Sequence, residues 1–172
     1  EGCELVNTGQ DLRFLKEHES WLFPRDAQGR MRWFQAVQHR GQNEYFKRRK
    51  MDMLILGRRR KEGNHCGRDN IYHTRQGVVR YCPLADWPHE YILAVIYYYN
   101  LKLPPLYDWE NGFVIGTHPW PARPDTKDVW DGWNKIWRVD PLIVVEAATA
   151  IKSAEQYIKE YQRRHETQWK LR

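Results

Sequence analysis

Residues Met51 to Arg60 read MDMLILGRRR, an apolar run that stops at a glycine followed by three arginines. Met53 to Leu56 is short, continuous and apolar, the pattern of a strand buried on both faces. By pattern alone a segment of buried helix fits as well. Gly57 allows a sharp exit, and Arg58, Arg59 and Arg60 then set permanent charge just beyond the carboxyl end of the run. In open α/β sheets that is where ligands bind. A guanidinium grips phosphate or sulfate through two parallel donors, a planar fork that lysine lacks. The competing reading is a solvated basic turn, which is what most charge runs are.

The rest of the composition favours the first reading. At 172 residues the chain has the length of one domain with a substantial core. Nine Trp and ten Tyr are far more than a disordered chain carries. The net charge of +6 and a pI near 9.3 favour an anionic partner: a nucleotide, a nucleic acid or a membrane surface. Lys47 to Lys50 and Arg58 to Lys61 bracket the expected strand, so both of its ends are basic. Three cysteines, Cys3, Cys66 and Cys82, form no CxxC pair and leave one unpaired. That points to a reducing, cytoplasmic setting rather than a secreted disulfide framework. There is no apolar run of membrane-spanning length and no signal peptide. The chain starts at Glu1, which points to processing or to a longer parent.

Along the chain, Cys3 to Asn7 reads as a short strand and Asp11 opens a helix to about Glu19, closed by Trp21 to Pro24. Asp26 to Gly29 reads as a turn, and Arg32 to His39 as a short helix with Trp33, Phe34 and Val37 on one side. Lys61 to Arg75 is polar and aperiodic, a long loop of the kind that is more often functional than not. Val78 to Cys82 is a second short strand, which leads to a helix begun by Pro88 and running to about Tyr99. Trp130, Trp133 and Trp137 recur at helical spacing, which suits a core stripe better than a platform for stacking bases. Asp140 and Pro141 open the last helix, whose apolar stripe runs through Val144, Ala147, Ala148, Ile151, Ala154, Ile158 and Tyr161.

Taken together, Leu54 to Ile115 resembles the phosphoadenosine phosphosulfate (PAPS) reductase family, within the wider group of adenine-nucleotide α-hydrolase folds related to ATP pyrophosphatases. The likeness rests on Gly57, Arg59, Arg60 and Glu62 after a strand, then Pro83, Leu84, Asp86 and Trp87. Leu106, Tyr107 and Asp108 follow, then Gly112, Phe113, Ile115 and Gly116. The Trp-Leu-Phe-Pro segment and the basic GRRR are similar to phage- and prophage-borne members. The resemblance implies an α/β fold, a portion of a parallel-sheet adenine-nucleotide α-hydrolase-like domain with flanking helices and a long C-terminal helix. It also implies an adenine nucleotide, ATP or PAPS, as ligand.

Two departures qualify this. The family's N-terminal Ser-Gly-Gly-x-Asp-Ser phosphate loop, in which backbone N–H groups cradle the anion, does not occur in the sequence. The chain is therefore read as the C-terminal portion of such a protein, a single domain over residues 1–172 that binds nucleotide weakly unless another chain supplies the loop. Nor does Ile151 to Arg172 contain the cysteine with which assimilatory reductases attack sulfur, and the Ser of the Glu-Ser pair is Gly63 here. That favours ATP α–β cleavage over sulfonucleotide reduction.

The candidate phosphate- and nucleotide-binding residues are Arg58, Arg59, Arg60, Glu62, His65, Arg68, Asp86, Trp87 and Tyr107. Arg59 and Arg60 are expected to line a cleft with residues near Tyr107 and His118. Cys66, between His65 and Arg68, is a candidate nucleophile if the nearby cations favour its thiolate, and otherwise an inert loop thiol. His118 is a candidate acid or base, or a loop histidine with satisfied hydrogen bonds. Asp86 and Trp87 either meet a nucleotide or cap and pack the following helix. His65, Cys66, His73 and Cys82 are ligand types within a short span, but the tight pairs that zinc favours are missing, so no metal is expected. The rival function is a basic nucleic-acid-binding module, or a subunit of a DNA- or RNA-modifying assembly that keeps the fold without the catalysis. No membrane partner is expected.

Overall fold

The computed structural model describes residues 6–75, 77–116 and 118–169. In chain order the elements are α1 (Leu12–Glu17), α2 (Ala27–Phe34), a π-turn (Gln35–His39), α3 (Arg40–Arg49), β1 (Met53–Ile55), β2 (Ile71–His73), β3 (Val79–Tyr81), α4 (His89–Tyr98), α5 (Gly112–Ile115), α6 (Val129–Val139), α7 (Pro141–Ala148) and α8 (Lys152–Trp169). The fold is mixed α/β, rich in helix, with a small sheet and a long C-terminal helix, as the resemblance implies. The contacts divide the chain into two compact units, Glu1–Asn43 with Pro105–Arg172, and Glu44–Pro104. Among the described residues no helix is long and apolar enough to cross a membrane.

The first unit is built of helices started by aspartates. Asp11, Asp26, Asp128 and Asp140 each accept a backbone N–H from the first turn of the helix that follows. Such caps satisfy donors the helix itself leaves open, at about 1 kcal/mol each. Asp26 is thus the start of α2, not the turn expected at Asp26 to Gly29, and the helix expected from Arg32 begins at Ala27. The core holds Leu15, Leu22, Phe23, Trp33, Trp133, Val144, Ile151 and Tyr157, all buried. Their polar tips find partners: Trp33 Nε1 donates to the Trp21 carbonyl at 2.7 Å, and Trp133 Nε1 to Ser153 Oγ at 3.2 Å. Gly132 lies against Phe23, where a Cβ would meet the ring at 2.3 Å. Trp130 and Trp137 pack against this core, which supports the stripe reading of the three tryptophans.

The last helix expected from Asp140 is two. α7 ends at Ala148, and the Thr149 hydroxyl donates to the Glu146 carbonyl at 2.7 Å, a local bond that competes with the helix ladder. The apolar stripe still runs through the break, with Val144, Ala147, Ile151 and Ala154 buried and Ala148, Ile158 and Tyr161 packed against the same core. Tyr157 joins it as a fully buried member that the stripe did not include. The strand expected at Cys3 to Asn7 lies outside the described residues up to Leu5, and Val6 and Asn7 are not in a strand.

The second unit carries the sheet, in the order β1-β3-β2. β1 runs parallel to β3 (Met53 opposite Val79, Ile55 opposite Tyr81), and β2 pairs antiparallel with β3 (Tyr72 opposite Arg80). The MLIL run is a strand, but it lies at the edge of this sheet and is not buried on both faces: Ile55 is 64% exposed. The central position belongs to β3 because an unexpected strand, β2, joins its other side through a local hairpin. Thr74 N donates to the Val78 carbonyl, and Gly77 takes a positive φ of 82° in the turn. Period two sets Leu54, Arg80 and Tyr72 on one face. There Leu56 and Tyr72 pack on a small core of Cys66, Cys82 and Ala85.

Candidate functional site

The arginines after β1 are held by their own surroundings. Arg59 donates to Glu62 Oε1 from Nε (2.9 Å) and Nη2 (2.6 Å), and reaches the Trp87 carbonyl at 3.4 Å and His89 Nδ1 at 3.3 Å. Its side chain is only 12% exposed. Arg60 donates to Asp86 Oδ1 (2.9 Å), to the carbonyls of Gly67 (2.7 Å) and Arg68 (3.1 Å), and to Asn70 Oδ1 (2.6 Å). One guanidinium thus ties the 60–70 loop to the segment that leads into α4, and its backbone N–H adds a bond to the Ala85 carbonyl at 2.9 Å. Gly67 makes the loop possible: its φ is +75°, and a Cβ would sit 2.0 Å from the Ile71 carbonyl oxygen.

Arg58 is different. Its Nη1 donates to the Tyr72 hydroxyl at 3.0 Å, and it forms no ion pair among the described residues. His65 stands edge-on to the Tyr72 ring, with centroids 4.6 Å apart. The Arg68 side chain is exposed, and its carbonyl accepts from Arg60. Arg58, Arg59, Arg60, Glu62, His65, Arg68, Asp86 and Trp87 are therefore gathered in the second unit, in and around one loop.

Cys66 is buried at 1% exposure, with its thiol directed at the Asn64 carbonyl at 3.7 Å. Cys82 beside it is fully buried. Burial first, and the neighbouring Cys66 second, push its thiol above the ordinary value, so the reactive thiolate is disfavoured. Among the described residues no three His, Cys, Asp or Glu side chains are placed to hold a metal ion.

Tyr107 and His118 belong to the first unit. Tyr107 packs its ring on Phe113 with centroids 5.3 Å apart, and the ring nitrogen Nδ1 of His118 contacts the Ile115 carbonyl while the ring meets Phe34 edge-on. The same unit holds a cavity of about 420 Å³ lined by Trp109, Trp120, Arg123, Lys135 and Ile136, and neither Tyr107 nor His118 lines it. Asp125 anchors the polar wall, accepting from Arg123 and Lys135. Burial raises its pKa, but bonds from Arg123, Asn111 and Lys135 outweigh that and hold it below the usual aspartate value.

The family model of the phosphoadenosine phosphosulfate reductase domain matches residues 11–119, more than half of the chain. The chain belongs to that family. No curated protein and no solved structure gives a match. The matched span includes the arginine loop and Pro83 to Trp87, so the PAPS reductase domain and the hydrogen-bonded loop coincide in sequence. Sequence reasoning missed Asn70 and Tyr72 as partners of this loop, and Arg80, which stands opposite Tyr72 in the sheet. The available signal was an arginine at the centre of the otherwise apolar Val78 to Cys82 run, where strand alternation leaves a cation on one face of a sheet.

Proposed function

We propose that this PAPS reductase family member binds an adenine nucleotide, ATP or PAPS, with the loop from Arg58 to Arg68 facing its phosphate or sulfate groups. A Ser-Gly-Gly-x-Asp-Ser loop from elsewhere would complete the phosphate cradle. The observation that carries the reading is the family match across a loop whose shape is fixed by Arg60 and whose unit holds all the net charge. Residues 44–104 contain 12 Lys and Arg against 6 Asp and Glu, whereas the remaining residues contain 16 against 16. Of the two chemistries, cleavage between the α- and β-phosphates is favoured. In that step an acceptor oxygen attacks the α-phosphorus and the bond to the pyrophosphate oxygen breaks, and cations near the leaving group stabilise its charge. Sulfonucleotide reduction needs an accessible thiolate, and the burial of Cys66 and Cys82 speaks against either in that role.

The second reading is a nucleic-acid-binding module, and the +6 excess in 61 residues favours it. Calorimetric titration of the chain with ATP, PAPS and a DNA duplex at several salt concentrations separates the two. The first reading predicts nucleotide affinity with a shallow salt slope, and turnover of ATP only once a phosphate loop is supplied. No nucleotide affinity, with DNA binding that falls steeply with salt, would favour the second.

A further inference from the structure

Arg80 stands at the middle of the central strand β3, level with Leu54 on one side and Tyr72 on the other. Its Nε is buried and has no hydrogen-bond partner in the structure as described. Its guanidinium carbon lies 5.0 Å from the centroid of the Phe46 ring. A ring face attracts the charge, yet gives the Nε–H, which lies in the guanidinium plane, no acceptor. No carboxylate pairs with Arg80 among the described residues, unlike Arg59, Arg60 and Arg123. The residue as a whole is half-buried, so an anion can reach the guanidinium, and a buried N–H without an acceptor is unfavourable.

Tyr72 supplies an independent observation. Its hydroxyl accepts a hydrogen bond from Arg58 and still carries its own hydrogen, for which no acceptor stands among the described residues. Arg58 has no carboxylate partner among them either. Two arginines without counter-ions among the described residues and a hydroxyl with a hydrogen to give thus share one side of the sheet, in the unit that holds the chain's whole net charge.

We propose that Arg80, Arg58 and Tyr72 hold a tetrahedral oxyanion, phosphate or sulfate, on this face of the sheet. Arg59 and Arg60 are positioning residues that fix the loop beside it. The assignment rests on the phosphate-binding reading above and names the groups that perform it. The oxyanion is either part of a nucleotide or a free inorganic ion.

The test is titration of the full chain with inorganic phosphate, inorganic sulfate and AMP, in chloride buffer at constant ionic strength, followed by calorimetry and thermal unfolding. Wild type is expected to bind phosphate and to unfold at higher temperature with it. Arg80→Met should unfold no earlier than wild type in phosphate-free buffer, because an uncompensated charge is removed, and should lose at least tenfold in phosphate affinity. Arg58→Met and Tyr72→Phe should each lose several-fold. Arg13→Met, on the exposed surface of α1, should match wild type. If Arg80→Met does not fold, the Arg58→Met, Tyr72→Phe double variant decides the same question. Undiminished phosphate affinity in the deciding variant, or no phosphate binding by wild type, overturns the proposal. AMP binding tenfold or more tighter than phosphate assigns the oxyanion to a nucleotide. Equal affinities support the site as one for a free ion and count against the nucleotide reading alone.

Discussion

The two units hold themselves together by different means. The first buries twelve of its described residues in one core, four of them the aromatic side chains Phe23, Trp33, Trp133 and Tyr157, and its charges balance. Each large buried side chain there contributes about 1.5–3 kcal/mol by leaving water. Among the described residues the second buries only Cys66, Cys82 and Ala85 as its core, and its loop is shaped by donors from Arg59 and Arg60 to carbonyls and carboxylates. Directional bonds of this kind are individually modest in net stability, but they specify one geometry. The comparison teaches that stability and charge are segregated: one unit supplies the burial, and the other spends its side chains on arranging cations.

The largest effect that would break this comparison is in the first unit. Trp133→Ala removes a fully buried indole and its bond to Ser153, and is expected to cost about 3–5 kcal/mol in urea unfolding. A cost below about 1 kcal/mol would mean that this core does not carry the unit. Asp125→Asn comes next. It leaves Arg123 without its carboxylate and Lys135 with Asp131 alone, at 3.5 Å, in a largely buried network, and a loss of about 3 kcal/mol at neutral pH is expected.

The pH dependence of that loss has a definite sign. The folded-state value of Asp125 is depressed, so its contribution is complete above the unfolded aspartate value of about 3.9. It disappears as the pH falls through the lower folded value. The gap between wild type and Asp125→Asn in unfolding free energy should therefore be flat from pH 7 to about 5 and close in strong acid. A gap that widens on acidification would contradict the role given to Asp125. The smallest effect is at a helix start: Asp140→Ala removes the acceptor of the Leu142 N–H and should cost about 1 kcal/mol, read by the same unfolding curves.

How much was legible in the sequence follows the same division. The helical caps at Asp11 and Asp140 and the tryptophan stripe could be read because they depend on residues a few positions apart. The edge position of β1 could not, because it depends on β2, a three-residue strand hidden in a polar stretch and revealed only by its pairing with β3. The break between α7 and α8 turns on one threonine hydroxyl within an otherwise continuous stripe. For the candidate site, the GRRR run drew attention to the right loop. It did not reveal that Arg59 and Arg60 are occupied by Glu62, Asp86 and carbonyls, while Arg80, twenty residues on, pairs with no acid among the described residues. Partnering is a property of the folded chain, and a run of arginines in sequence does not disclose it.

The central claim is that the charged unit, and not the well-packed one, meets the anionic ligand. Titration of ¹⁵N-labelled protein with ATP, followed by amide chemical shifts, tests it most directly. The account predicts that the largest changes fall within residues 57–73 and 79–87, with the first unit's core amides, such as Trp133 and Val144, unmoved. Changes confined to the residues around the Trp109 and Trp120 cavity, with the arginine loop silent, would contradict it.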